Sequence, residues 1–367
     1  MARSLRERSD RPTAPDLVWV GGHRGLEAGI VRDAGIRCRR LVLRSLRTVD
    51  LSVHAVLDPI RLGASVPQAA AILAAERPAA ILTTGGYVAV PVLMAAAPLR
   101  IPVVLWEGNA TPGRAVRATA RLSDALAVSY AAAGAALGAA HVPTFVTGTP
   151  IRDVTGITRA AARERLDLPV DARTVLIFGG SQAVKRFNAA VAAALPRLVE
   201  RVHVLHVTGE AAYAPALAER ERLRSDTRTR YRPYPFLRED MLAALVAADL
   251  VVGRAGSSTV AEVAALGIPA VFVPYPHAGA HQEANAAVLA ESGAARVVAD
   301  ERFDSDALVA ATDILFDEPL RASMAAAARR FGRPRAADAV AALVLALAER
   351  RPLPSPETIE AIARDAG

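Results

Sequence analysis

A chain of 367 residues, 52% hydrophobic and 22% charged, can bury a sizeable core, which excludes wholesale disorder; typical domain sizes of roughly 100 to 200 residues divide it into two domains. Its net charge of +7 is nearly all arginine, Lys185 being the sole lysine, and favours an acidic partner such as an anionic membrane or a phosphorylated substrate, no nucleic-acid-binding signature accompanying it. The single cysteine, Cys38, excludes a disulfide framework and a thiolate metal site, and Arg3, Arg6 and Arg8 precede no apolar stretch of the kind a signal peptide needs.

Short β-rich runs alternate with alanine-rich amphipathic segments, the pattern of a parallel sheet built from strand–helix–strand units, which places the chain in the α/β class. The first half predicts strands at Leu17–Val20, Cys38–Leu43, Ala80–Thr83, Val103–Trp106, Ala125–Val128 and Thr144–Thr147, with the clearest helix over Ser65–Glu76. Two uncharged stretches, 78–99 and 125–151, are long enough to cross a bilayer. Gly85, Gly86, Pro91 and Pro98 break the first, and Gly134, Gly138, His141, Pro143 and Gly148 the second. Gly148-Thr149-Pro150-Ile151-Arg152 reads as a linker, so the domain boundary is set near residue 150. The pattern restarts with strands at Thr174–Phe178, Val202–Thr208, Thr229–Tyr234, Leu250–Val252, Ala270–Val273 and Ala295–Val298. An apolar helix over Ala336–Leu347 follows Pro334 and must pack somewhere. Residues 351–367, rich in proline and charge, read as a partly ordered tail.

Several of these strands run into turns with chemical potential. Gly179-Gly180-Ser181-Gln182 follows a strand and precedes a helix, so its amides can cradle a phosphate, or its glycines simply make a tight turn. Gly253-Arg254-Ala255-Gly256 leads into Ser257-Ser258-Thr259-Val260-Ala261-Glu262. Here Glu262 either accepts hydrogen bonds from ribose hydroxyls or closes a capping box with Thr259, the commoner fate of that spacing. Gln282 and Asn285 lie three apart and can share a helix face toward sugar hydroxyls, or form an ordinary surface turn. His277 and His281 lack the surroundings of a metal site. In the first half, Thr83-Thr84-Gly85-Gly86-Tyr87 and Trp106-Glu107-Gly108-Asn109 end strands where open α/β sheets place ligands, which makes Glu107 and Asn109 candidate acceptor contacts or plain turn formers. Arg24, Glu27 and Arg152 carry the same alternatives, with solvated surface as the bland one.

Taken together, HRGLEA at 23–28, TGGYVAVP at 84–91, WEGNATPG at 106–113, GTPIR at 148–152, FGGSQ at 178–182, RAGSSTVAE at 254–262 and PHAGAHQEAN at 276–285 resemble the MurG family, the transferases that add N-acetylglucosamine to lipid I in peptidoglycan synthesis. The likeness covers roughly residues 1 to 335. It implies a GT-B fold: two Rossmann-like domains with parallel sheets facing a central cleft, an N-terminal acceptor domain over 1–150, a UDP-sugar domain over 151–334, and a C-terminal helix in 335–367 returning to the first. By that likeness Ser181 and Gln182 sit near the pyrophosphate, Leu237 by the uracil, Glu262 on the ribose and Gln282 on the sugar, with Arg152 facing the donor. The reaction it implies forms lipid II with inversion, needs neither metal nor cofactor beyond the donor UDP-GlcNAc, and takes place on the cytoplasmic face of the membrane. Arg44, Arg47 and Arg61 near Leu57, Ile60 and Leu62 supply basic and apolar groups for such a surface, or an ordinary amphipathic one.

The sequence departs from the family on the acceptor side. Family members open with a strand, a GGxGGHxxP loop and a helix; this sequence opens inside that helix, Gly21-Gly22-His23 aligning with a later loop, and an upstream start accounts for the difference. Trp106 stands where the family usually has histidine, Gly108 where it has glutamine, and Ala183 replaces a glycine. Alternatives to transfer are a UDP-sugar-binding relative that has lost its base, and another GT-B enzyme such as a small-molecule glycosyltransferase or a UDP-GlcNAc epimerase.

Overall fold

Every strand pairing in the computed structural model is parallel, as expected of runs that are apolar on both faces and joined by helices. The structure describes residues 1–8, 15–22, 27–43, 54–139, 141–154, 156–179, 184–237, 239–276 and 281–365. These fall into two units: residues 1–150 together with 335–367 form unit 1, and residues 151–334 form unit 2.

In unit 1, β1 (Val18–Gly21) pairs with β2 (Arg37–Arg40), and β3 (Ile81–Thr83), β4 (Val103–Glu107), β5 (Ala125–Val128) and β6 (Thr144–Val146) form a four-stranded sheet in sequence order. Alternation along β4 and β5 divides their side chains between two cores. Val103, Leu105, Leu126 and Val128 join Leu41, Leu73 and Leu93 on one face. Val104, Ala125 and Ala127 join Leu5, Val340, Leu343 and Ile359 on the other. The second predicted strand ends early: Leu41 and Leu43 leave the ladder, yet both are buried in the first of these cores.

Unit 2 holds β7 (Thr174–Phe178), β8 (His203–Val207), β9 (Tyr231–Tyr234), β10 (Leu250–Gly253), β11 (Ala270–Phe272) and β12 (Ala295–Val297) in the order β12-β11-β10-β7-β8-β9. The chain winds outward from β7 through β8 to β9, then returns to the other side of β7 with β10. The carboxyl ends of β7 and β10 therefore flank a topological switch point, where sheets of this kind bind ligands.

One expectation is overturned. Within the stretch expected to be a partly ordered tail, a helix runs from Pro356 to Arg364, with Ser355 Oγ accepting from the Thr358 N–H and proline at the first turn, where its missing N–H costs nothing. Ile359 and Ala363, one helical turn apart, are both fully buried in the core shared with the helix Ala336–Ala348.

Candidate functional site

The switch point of unit 2 is built around glycine for two different reasons. At Gly253 a Cβ would lie 3.1 Å from the Phe178 carbonyl oxygen of the neighbouring strand, so the residue allows β7 and β10 to approach. Gly256 is the N-cap of the helix Ser257–Leu266, and no side chain caps that end. The first amides of this helix lack intrahelical partners and point, with the positive end of the helix dipole, off the carboxyl edge of the sheet. Such an end suits an anion.

The same geometry removes the capping-box alternative. A box requires Thr259 as N-cap, whereas Thr259 lies inside the helix and Glu262 a turn further on. Glu262 is 7% exposed, and its Oε1 accepts from Arg152 Nε at 2.6 Å. Two residues 110 positions apart, both named from sequence for the donor side, thus meet in one ion pair.

The remaining donor-side residues divide. Gln282, in the helix His281–Glu291, uses its Oε1 to accept from the Tyr275 N–H at 3.0 Å, which pins the loop after β11. Asn285 requires a correction: it is fully buried, and its Nδ2 donates to the Ala255 carbonyl at 3.3 Å. It shapes the Gly253–Gly256 turn instead of sharing an open face with Gln282. Leu237 follows β9 and is 9% exposed. Ser181, Gln182 and His277 lie outside the described residues, as do Arg24 and the side chain of Glu27. No cluster of metal-ligating side chains occurs among the described residues.

On unit 1 the two residues proposed for acceptor chemistry, Glu107 and Asn109, bond to each other, and Glu107 is buried. Glu107 is 4% exposed and spends both oxygens on its own loop: Oε1 accepts from the Asn109 N–H at 2.8 Å and from Asn109 Nδ2 at 3.1 Å, and Oε2 accepts from the Gly113 N–H at 3.2 Å. A buried carboxylate with these three donors organises residues 107–113. Gly85 and Gly86, with φ of 74° and 82°, turn the chain after β3; a Cβ on Gly85 would meet Val116 Cγ2 at 2.4 Å.

Trp106 and Gly108 are a matched pair. The indole N–H donates to the Gly148 carbonyl at 3.0 Å, and the ring tip lies so close to Gly108 that a Cβ there would be 2.4 Å from Trp106 Cη2. The two departures from the family pattern on this strand end are therefore one change, since the ring leaves no room for a glutamine side chain. Of the basic and apolar groups considered for a membrane surface, Leu62 packs against the unit 1 core, and Arg44 and Arg47 lie outside the described residues.

Comparison with known proteins decides the family. The glycosyltransferase family 28 N-terminal domain matches residues 2–128 and the C-terminal domain of the same family residues 174–340. A UDP-N-acetylglucosamine--N-acetylmuramyl-(pentapeptide) pyrophosphoryl-undecaprenol N-acetylglucosamine transferase from Desulforamulus reducens is 34% identical over 346 residues, 92% of this chain and 91% of that one. The chain belongs to the MurG family. The crystal structure of Acinetobacter baumannii MurG superposes with a TM-score of 0.69 at 29% identity, covering 89% of this chain and 90% of that one. A UDP-N-acetylglucosamine 2-epimerase structure from Listeria monocytogenes reaches a TM-score of 0.68 at 16% identity, over 97% and 94% of the two chains, and shares the fold alone. This member of the MurG family is thus a glycosyltransferase of the GT-B fold.

Three features of this MurG-family chain escaped the sequence reading. Arg254 is 5% exposed, donates to the carbonyls of Val273 and Pro274 and to Asp300, and stacks over Phe187 and Tyr275 at 4.8 and 5.3 Å. It ties the β10 turn to the end of β11, and its place in RAGSS was a visible signal. His206 is buried between Tyr231 Oη at 2.9 Å and Asn188 Oδ1 at 3.0 Å, and burial pushes its pKa down to about 3, so it is neutral. No local pattern marks it. The third is an arginine cluster around Asp249.

Proposed function

We propose that this chain transfers N-acetylglucosamine from UDP-GlcNAc to lipid I, the undecaprenyl-linked acceptor in the names of its relatives, and so forms lipid II. The observation that carries the reading is the Arg152–Glu262 pair beside the uncapped helix at the switch point of unit 2. A carboxylate held by one guanidinium keeps a second oxygen for a vicinal diol, so ribose hydroxyls dock on Glu262 while Arg152 faces the diphosphate. Leu237 lies against the uracil, Gln282 offers its amide to the sugar, and Ser181 and Gln182 approach the pyrophosphate. The acceptor hydroxyl attacks C1 from the face opposite the leaving group as the C1–O bond to UDP breaks, which inverts that centre, and the hydroxyl proton passes to a general base. Charge developing on departing UDP is taken up by helix amides and Arg152, so no metal or other cofactor is needed. A lipid-linked acceptor puts the protein peripherally on the cytoplasmic face of the membrane; no helix among the described residues is long and apolar enough to cross it.

Calorimetry with UDP-GlcNAc and transfer to a lipid I analogue test this together. Glu262→Ala should weaken donor binding about 100-fold, equivalent to about 3 kcal/mol for hydrogen bonds to a charged group. Absence of donor uptake by the native chain at millimolar concentration sinks the proposal. A second reading, a UDP-sugar-binding protein without transfer, is favoured by one observation: Glu107 is committed to its own loop. Donor binding without product selects it.

A further inference from the structure

The opposite edge of unit 2, where β7 and β10 begin, holds a polar cavity of about 310 Å³ lined by Arg159, Arg163, Asp171, Arg173, Asp249 and Arg321. Its centre is Asp249. One carboxylate oxygen accepts from Arg159 and, at 3.4 Å, from Arg321. The other accepts from Arg163 at 3.0 Å and from the Thr174 N–H at 2.9 Å. Arg163 is 3% exposed and also donates to the carbonyls of Pro169, Val170, Ala172 and Ala247. A carboxylate fastening the helix Arg159–Arg165 to the heads of two strands accounts for Asp249, Arg159 and Arg163 as architecture.

It does not account for the other two arginines. Arg173 stacks over Phe316 at 4.7 Å and has no ion pair among the described residues. Arg321 reaches Asp249 only at the limit of a hydrogen bond, its Nε has no acceptor, and its second partner is Glu318 on its own helix. Four guanidiniums thus line a cavity with two carboxylates, Asp171 and Asp249, and the positive charge is in excess. Burial and the neighbouring Arg159 both lower the pKa of Arg163, the mark of cations crowded together.

We propose that this cavity binds a small oxyanion of the phosphate class, gripped by Arg159, Arg173 and Arg321 above a floor of Arg163 and Asp249. Planar guanidinium forks match tetrahedral oxyanions, and an anion offsets the positive charge left once Glu318 is counted against Arg321. The strand β7 separates this edge from the donor turns by roughly 15 Å, at about 3.3 Å per residue, so both positions can be filled at once.

The test is thermal unfolding of the full chain saturated with UDP-GlcNAc, in inorganic phosphate against chloride at equal ionic strength. Phosphate should raise Tm by a few degrees, saturably. The double variant Arg173→Gln/Arg321→Gln should lose that rise while keeping its donor affinity. Arg173→Gln alone, at an exposed position, should weaken the phosphate response several-fold even if the double variant folds poorly. No rise specific to phosphate, or a rise that persists in the folded variants, overturns the proposal. Sedimentation with phosphatidylglycerol vesicles separates the sources: binding that the variants lose assigns the group to a lipid headgroup, and binding they keep assigns it to free phosphate.

Discussion

In unit 2 the strand that opens the unit lies at its centre, paired on both sides, with all five residues of β7 buried. In unit 1 the strands on the corresponding flanks, β1 and β3, each pair on one side only among the described residues, and the described side chains of both are no more than half-buried. The loops do not follow that contrast. In unit 2 the turn after β10 is held by side chains, Arg254 donating to the Val273 and Pro274 carbonyls and Asn285 to the Ala255 carbonyl. In unit 1 side chains do the same where β4 and β5 are paired on both sides: Glu107 holds the 108–113 loop, the Trp106 indole holds Gly148, and Ser129 Oγ meets Thr149 Oγ1 at 2.8 Å. A side chain spent on scaffold is no longer available for chemistry.

Both tryptophans, Trp19 and Trp106, lie in unit 1, so fluorescence follows that unit alone while circular dichroism follows both. The largest effect is expected from Glu107→Ala. Leaving three donors without their carboxylate should destabilise unit 1 by about 3 kcal/mol, seen as an earlier fluorescence transition in urea. Calorimetry should find UDP-GlcNAc affinity unchanged; an equal loss there would break the division of labour between the units. Gly108→Gln should cost about 2 kcal/mol by overpacking against the ring. Trp106→His in the same chain should restore most of it, giving a coupling of about 1 kcal/mol or more, whereas strict additivity would show that the two positions are independent.

The most gradual effect belongs to unit 2. His206 has a folded pKa of about 3 against an ordinary value near 6.5, so between these values the unfolded chain binds a proton that the folded one refuses. Stability is therefore full above about pH 6.5 and falls as pH drops toward 3, by at most about 1.4 kcal/mol per pH unit. Urea titrations followed by circular dichroism should show this slope, and His206→Gln should flatten it. A slope that survives the substitution assigns it to other groups.

The twelve strands of the described residues were legible in the sequence, most of them as continuous apolar runs bounded by glycine, proline and polar turns, the arginine-rich β2 being the exception. Arg152 and Glu262 were legible as residue types in separate motifs, and only folding brings them together. Three things were hidden. Glu107 ends β4 and Asn285 lies within the helix His281–Glu291, and the burial of each depends on which backbone groups fold over it. The helix Pro356–Arg364 was masked by a composition rich in proline and charge, although the spacing of Ile359 and Ala363 carried it. The charge cluster at Asp249 joins residues 72 to 90 positions apart, a separation at which no sequence window operates.

Unit 1 is discontinuous: Val104, Ala125 and Phe145 share a core with Leu343 and Ile359, and the whole of unit 2 is encoded between them. On the ribosome the earlier-encoded part must therefore wait, with one apolar face uncovered, until the helices Ala336–Ala348 and Pro356–Arg364 have emerged, while the later-encoded unit is complete as soon as residue 334 emerges. The order of synthesis and the order of completion are reversed for these two units, and nascent unit 1 is the stretch most in need of a chaperone.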